Sequence, residues 1–68
     1  MFYEIGYHAG NGVFSVNMVK GDTLSTEKYA REYARRHGYE LAYILPITEK
    51  AAENRMAKGM PYKNLQND

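Results

Sequence analysis

The stretch Phe2-Tyr3-Glu4-Ile5-Gly6-Tyr7-His8-Ala9-Gly10-Asn11-Gly12-Val13-Phe14-Ser15-Val16-Asn17-Met18-Val19-Lys20 decides the fold. Two runs rich in aromatic and β-branched residues, 2–9 and 13–20, flank Gly10-Asn11-Gly12. Asn-Gly between such runs is a strong hairpin signal, because both central positions of a type I′ turn need positive φ. With Asn11 and Gly12 as the turn, Ala9 is expected opposite Phe14, Tyr7 opposite Val16 and Ile5 opposite Met18 on one face. The other face then carries Glu4 opposite Val19, Gly6 opposite Asn17 and His8 opposite Ser15. This register separates an apolar side from a mostly polar one, as a half-buried hairpin requires.

Beyond the hairpin, Gly21-Asp22 breaks the strand and a helix is expected from about Thr26 to His37. Ser25 is placed as its N-cap, with Leu24 and Tyr29 as a hydrophobic staple. Glu27 in the first turn and Arg35 and Arg36 in the last suit the helix dipole. Gly38 is positioned to close the helix in a left-handed conformation. Tyr29, Ala30, Tyr33, Ala34 and His37 form the inward stripe at i, i+3, i+4 spacing. Tyr39 to Leu45 reads as a third strand that stops at Pro46. Thr48 then caps a weaker helix from Glu49 to Lys58, with Ala51, Ala52, Arg55 and Met56 on its inner side and Gly59-Met60-Pro61 as the stop.

The expected architecture is therefore an α+β fold, ββαβα, forming a single small domain over residues 1–63 with a frayed tail at 64–68. A right-handed crossover favours a three-stranded antiparallel sheet of order 2-1-3, with both helices packed on one face.

Composition narrows the function. At 68 residues, with 44% apolar and 25% charged residues, the chain has the balance of one globular core. No cysteine is present, so disulfides and thiolate metal sites are excluded. No apolar run approaches the ~20 residues of a membrane span, and the amino end lacks a basic-then-apolar leader, so a cytoplasmic location is expected. The net charge of +1 gives little general attraction for nucleic acid or anionic lipid.

Catalysis is not expected. His8 and Ser15 fall opposite each other in the hairpin, but an orienting acid is missing, since Glu4 lies about 13 Å along the strand at ~3.3 Å per residue. His8 and His37 belong to no metal-ligand spacing, and Gly10-x-Gly12 sits between two strands and opens no helix, unlike a phosphate loop. No cofactor, metal, small-molecule ligand or membrane partner is expected.

Two binding readings remain. Leu41, Tyr43 and Leu45 on one side of the third strand, and Ala42 and Ile44 on the other, are all apolar, while a helix covers only one side; the other is left either to the second helix or the Met60-Pro61-Tyr62 segment of the same chain, or to another chain. This points to a non-enzymatic module for protein–protein interaction or self-association, of accessory type, with Tyr39, Tyr43 and Ile44 as anchors and Arg31 and Arg35 as rim charges. The alternative is nucleic-acid binding by Lys28, Arg31, Arg35 and Arg36, with Tyr39 and Tyr43 as stacking surfaces. Glu27 and Glu32, each four residues before an arginine, are expected to answer part of that positive charge by pairing with Arg31 and Arg36.

Overall fold

The computed structural model describes residues 1–66. In chain order the elements are β1 (Phe2–Gly10), β2 (Val13–Lys20), α1 (Thr23–His37), β3 (Glu40–Ile47), α2 (Glu49–Ala57) and β4 (Lys63–Asn64). The strands form one four-stranded sheet of order β3-β1-β2-β4, so the class is small α+β. The neighbours β2, β1 and β3 are those expected, and both contacts are antiparallel. Two details of the expectation are corrected. A fourth strand, β4, pairs parallel to β2, and the helices lie on opposite faces of the sheet.

A bulge explains the second correction. Gly10 pairs with Val13 across an Asn11-Gly12 turn, and Gly10, Asn11 and Gly12 all have positive φ, at 89°, 54° and 74°. The register then shifts between His8 and Gly10, leaving Ala9 as the extra residue. From there on, His8 meets Phe14, Tyr7 meets Ser15, Ile5 meets Asn17 and Glu4 meets Met18. Each pairing is one residue away from that expected, which turns all of β2 to the other face. The slip is tolerated because both faces have apolar cover. Val19 joins Tyr3, Ile5 and Tyr7 under Ala30 and Ala34 of α1, while Met18 joins Phe2 under Ala52 of α2.

On the α1 face, Ile5, Tyr7, Val19 and Ala30 are fully buried. The alanines let the helix approach the sheet, and Tyr29 and Tyr33 pack beside them. Tyr7 Oη donates to Asn17 Oδ1 at 3.2 Å, and burial pushes its pKa up to about 12. α1 begins at Thr23, three residues earlier than expected, because Asp22 is the N-cap and its Oδ1 accepts from the Ser25 N–H at 2.7 Å. A carboxylate acceptor competes well with a serine hydroxyl for this position. Ser25 therefore sits inside the first turn, and Leu24, expected to staple Tyr29, is 78% exposed. Gly38 closes the helix at φ 69°, as expected.

β3 continues through Pro46 to Ile47. Proline is accepted because β3 is an edge strand. A second register shift, between Gly6 and Tyr7, leaves Ala42 of β3 as an extra residue. α2 starts at Glu49 under Thr48, whose Oγ1 accepts from the Ala51 N–H at 3.1 Å. Its buried Ala52 and half-buried Met56 pack with Phe2, Met18, Ile47 and Met60.

Asn64 and Leu65, placed by sequence in the frayed tail, are held instead. Asn64 belongs to β4, and the Leu65 N–H donates to Lys20 O at 2.7 Å. The Leu65 side chain packs on the α1-side core and lies against Gly21, where an added Cβ would come within 2.9 Å of it. Residues 67–68 of that tail lie outside the described residues.

Candidate protein-binding surface

The slipped register leaves part of the sheet uncovered. α2 shields the end of its face that carries Phe2, Met18 and Ile47. Towards the hairpin the same face carries Gly6, His8, Phe14, Val16, Tyr43 and Leu45, by alternation along the paired strands. Phe14 is 48%, Val16 39% and Leu45 50% exposed. The Tyr43 ring occupies the space a Gly6 side chain would need and stacks on Phe14 with centroids 5.9 Å apart, and Phe14 in turn meets His8 edge-on at 5.4 Å. Only a residue without a Cβ leaves room for that ring.

Electrostatics fix Tyr43 in place. Its hydroxyl donates to Glu4 Oε2, and Glu4 Oε1 lies 3.0 Å from Arg55 Nη2 of α2. The bond to Glu4, then burial, raises the Tyr43 pKa above its usual value. This group joins α2 to the sheet at the border between the covered and the open part. Arg55 Nη1 is buried there with no acceptor among the described residues.

The edges of the sheet differ. β4 pairs with β2 at Val19 and Lys20, whereas among the described residues β3 has no strand beyond it. From Leu41 to Ile47 the β3 sequence holds no charged residue, and Glu40 and Pro46 frame the stretch between them.

The expected anchors do not share one surface. Tyr43 lies on the α2 face, whereas Ile44 and Tyr39 pack into the core under α1. Tyr39 also stacks on His37 at 5.3 Å. Tyr43 and Ile44 are consecutive in a strand, so their side chains point to opposite faces. Phe14, Val16 and Leu45 were not among the expected anchors. Their signal is the alternation, once the bulge at Ala9 is known.

The basic residues of α1 also divide. Lys28, Arg31 and Arg35 line a shallow open groove of about 510 Å³ with Leu24, Glu27 and Glu32. Arg36 borders a separate groove with Tyr29, Tyr33 and Lys63 on the other flank. The ion pair formed in α1 is Glu32–Arg35, at 2.8 Å and three residues apart, in place of the expected i, i+4 pairs. Tyr43 is on the far face of the sheet from all four basic residues. His8 and Ser15 are likewise separated, because His8 pairs with Phe14 and Ser15 with Tyr7. Among the described residues, no three His, Asp or Glu side chains come together as a metal site, and no helix is long and apolar enough to cross a membrane.

The chain matches no family model, no curated protein and no solved structure.

Proposed function

We propose that the chain is a binding module that works by protein–protein contact at β3 and the adjoining open sheet face, and that it is not a catalyst. A cytoplasmic setting is part of this proposal. The observation that carries it is the edge position of β3 beside half-exposed Leu45, Phe14 and Val16. An unpaired apolar edge and an uncovered aromatic face are costly unless something pairs with them. Large aromatic side chains held rigid before binding, as Tyr43 is by Glu4, supply interface energy at low entropic cost.

Nucleic-acid binding by Lys28, Arg31, Arg35 and Arg36 is the weaker reading, since the stacking tyrosine and the basic residues occupy different faces. The test is quantitative affinity capture from a native-host extract with the wild type and Leu45→Lys, both checked for folding by circular dichroism. Protein partners held by the wild type and lost from the variant support the proposal. Identical retention by both chains sinks it, and retention of nucleic acid that falls steeply with salt replaces it with the alternative.

A further inference from the structure

The groove beside Arg36 continues into a second one at the edge of β2. The first, of about 290 Å³, is lined by Tyr29, Glu32, Tyr33, Arg36, His37 and Lys63. The second, of about 270 Å³, shares Tyr29, Tyr33 and Lys63 with it and adds Asn17, Pro61 and Tyr62. Each is close to the lower end of the size range of ligand sites, and their common walls make them one trough between α1 and the segment that leads into β4. Helical spacing explains the α1 wall: Tyr29, Tyr33 and Arg36 are four and then three residues apart, so they share a flank.

The two halves differ in chemistry. The half at the end of α1 is cationic: Arg36, His37 and Lys63 are exposed, and Arg36 and Lys63 form no ion pair among the described residues. Its one carboxylate, Glu32, is held by Arg35 at 2.8 Å. The last carbonyls of α1 accept from the Gly38 and Tyr39 N–H groups, which blunts the negative end of the helix dipole. The other half is aromatic. Tyr33 is the centre of a packed row of rings, 5.9 Å from Tyr29, 4.2 Å from His37 and 5.0 Å from the buried Tyr7, so this wall is built in advance. Tyr62, 40% exposed, lines the same half. There Asn17 accepts from the Tyr7 hydroxyl through Oδ1, while its Nδ2 group makes no hydrogen bond among the described residues. Burial, then Tyr33, raises the Tyr29 pKa and Arg36 works against the rise, so the guanidinium stands near this phenol where the halves join. Cations for a phosphate, rings for a base and a free donor for the base edge belong together in nucleotide recognition. We propose that the trough binds a nucleotide, free or within a single strand. The phosphate lies among Arg36, His37 and Lys63, the base packs against Tyr29, Tyr33 and Tyr62, and the Asn17 amide donates to an acceptor on the base edge. An acidic peptide is a poorer occupant, because its carboxylates leave the aromatic half unfilled. The site lies at the opposite edge of the sheet from β3, and is independent of docking there.

The test titrates AMP, ribose phosphate and a single-stranded oligoadenylate into the full chain and follows the amide shifts. AMP is expected to move the amides of Asn17, Tyr29, Tyr33, Arg36 and Lys63, and to bind about tenfold more tightly than ribose phosphate, since the base adds stacking. Arg36→Glu/Lys63→Glu, whose side chains are exposed, is expected to weaken AMP about tenfold or more with an unchanged circular dichroism spectrum, whereas Arg31→Glu/Arg35→Glu changes its affinity by about twofold or less. Tighter binding of the oligoadenylate than of AMP assigns the site to a single strand, and equal binding assigns it to the free nucleotide; both support the proposal. No shift at millimolar AMP overturns it, and so does ribose phosphate that binds as well as AMP, a comparison that uses the wild type alone and does not depend on how the variants fold. Equal losses in the two double variants overturn it too, and a polyglutamate peptide that binds better than AMP replaces the nucleotide with an acidic protein segment.

Discussion

A methyl group added at Gly6 tests how the open face is held. Gly6 is buried in β1, and its φ lies outside the left-handed range, so the backbone accepts alanine. The side chains do not. The new Cβ overlaps Tyr43 Cε2 and lies 2.6 Å from Tyr43 Cζ and 2.8 Å from Phe14 Cζ. Tyr43 must lift away, which strains its bond to Glu4 and its stacking on Phe14. Overpacking costs about 1–3 kcal/mol, and a hydrogen bond to a charged group contributes about 1.5–3 kcal/mol. Against these stands a gain of roughly 0.5–1 kcal/mol from replacing glycine in a strand. These effects are coupled, so a net loss of about 2 kcal/mol is expected. A chain of this size has a total stability of roughly 3–10 kcal/mol, and the loss lowers Tm by about 10 °C. Thermal and urea unfolding followed by circular dichroism measure it. In a Tyr43→Ala background the clash with the tyrosine ring is gone and only the tip of the half-exposed Phe14 ring, 2.8 Å from the new Cβ, has to give, so the loss caused by Gly6→Ala is expected to shrink to below about 1 kcal/mol. A single variant as stable as the wild type, or the same loss in both backgrounds, refutes the account of Tyr43 seated on Gly6.

Neighbouring residues of β3 should respond to different degrees: Ile44→Lys removes a partly buried side chain packed under α1 and is expected to cost about 1–3 kcal/mol, whereas Leu45→Lys, already half in solvent, is expected to cost about 0.5 kcal/mol or less, both read from urea midpoints. Thr26 is fully buried, and its hydroxyl has no partner among the described residues; Thr26→Val keeps the shape, removes the unsatisfied group and is expected to raise stability by about 1 kcal/mol in the same assay. Tyr7 has a folded-state pKa of about 12 against an ordinary 10.0. Its raised pKa therefore contributes stability that is fully present below pH 10 and is lost as pH rises through about 12. Urea midpoints measured across that window should fall more steeply for the wild type than for Tyr7→Phe.

Much of this fold is legible in local chemistry. Asn11-Gly12 announces its turn, Gly38 and Thr48 mark a helix end and a helix start, and the alanines of α1 mark its inner side. What escaped the sequence depended on tertiary context. The bulge at Ala9 moves every later pairing by one residue, and β2 accepts the slip because Val19 fills the α1 side, Met18 fills the α2 side, and Asn17 is met by the Tyr7 hydroxyl. That tolerance exists because α2 covers the second face, which the hairpin alone does not announce. Asp22 and Ser25 are both good caps, and the contest was settled by a charged acceptor three residues upstream. β4 has only two residues and no apolar pattern of its own, and its place depends on Leu65 finding the hollow beside Gly21. The candidate surface was half legible. The excess of apolar flank on the third strand could be read directly, but grouping Tyr43 with Ile44 ignored the pleat, and Phe14 and Val16 became visible only after the slip.

The short strand at the carboxyl end carries a consequence for handling the molecule. While Leu65 is seated, the end of β2 at Val19 and Lys20 is covered, and the free rim on that side is limited to Val13–Met18. Trimming the chain back to Pro61 would bare the rest of β2, and because β2 and β3 run the same way, each copy would then offer two full-length rims of matching direction. Head-to-tail stacking of that kind builds a ring where its rotation closes and an open filament where it does not. Proteolysis that removes β4 is therefore expected to make the domain more prone to edge-to-edge association, which light scattering of the trimmed and untrimmed chains would compare.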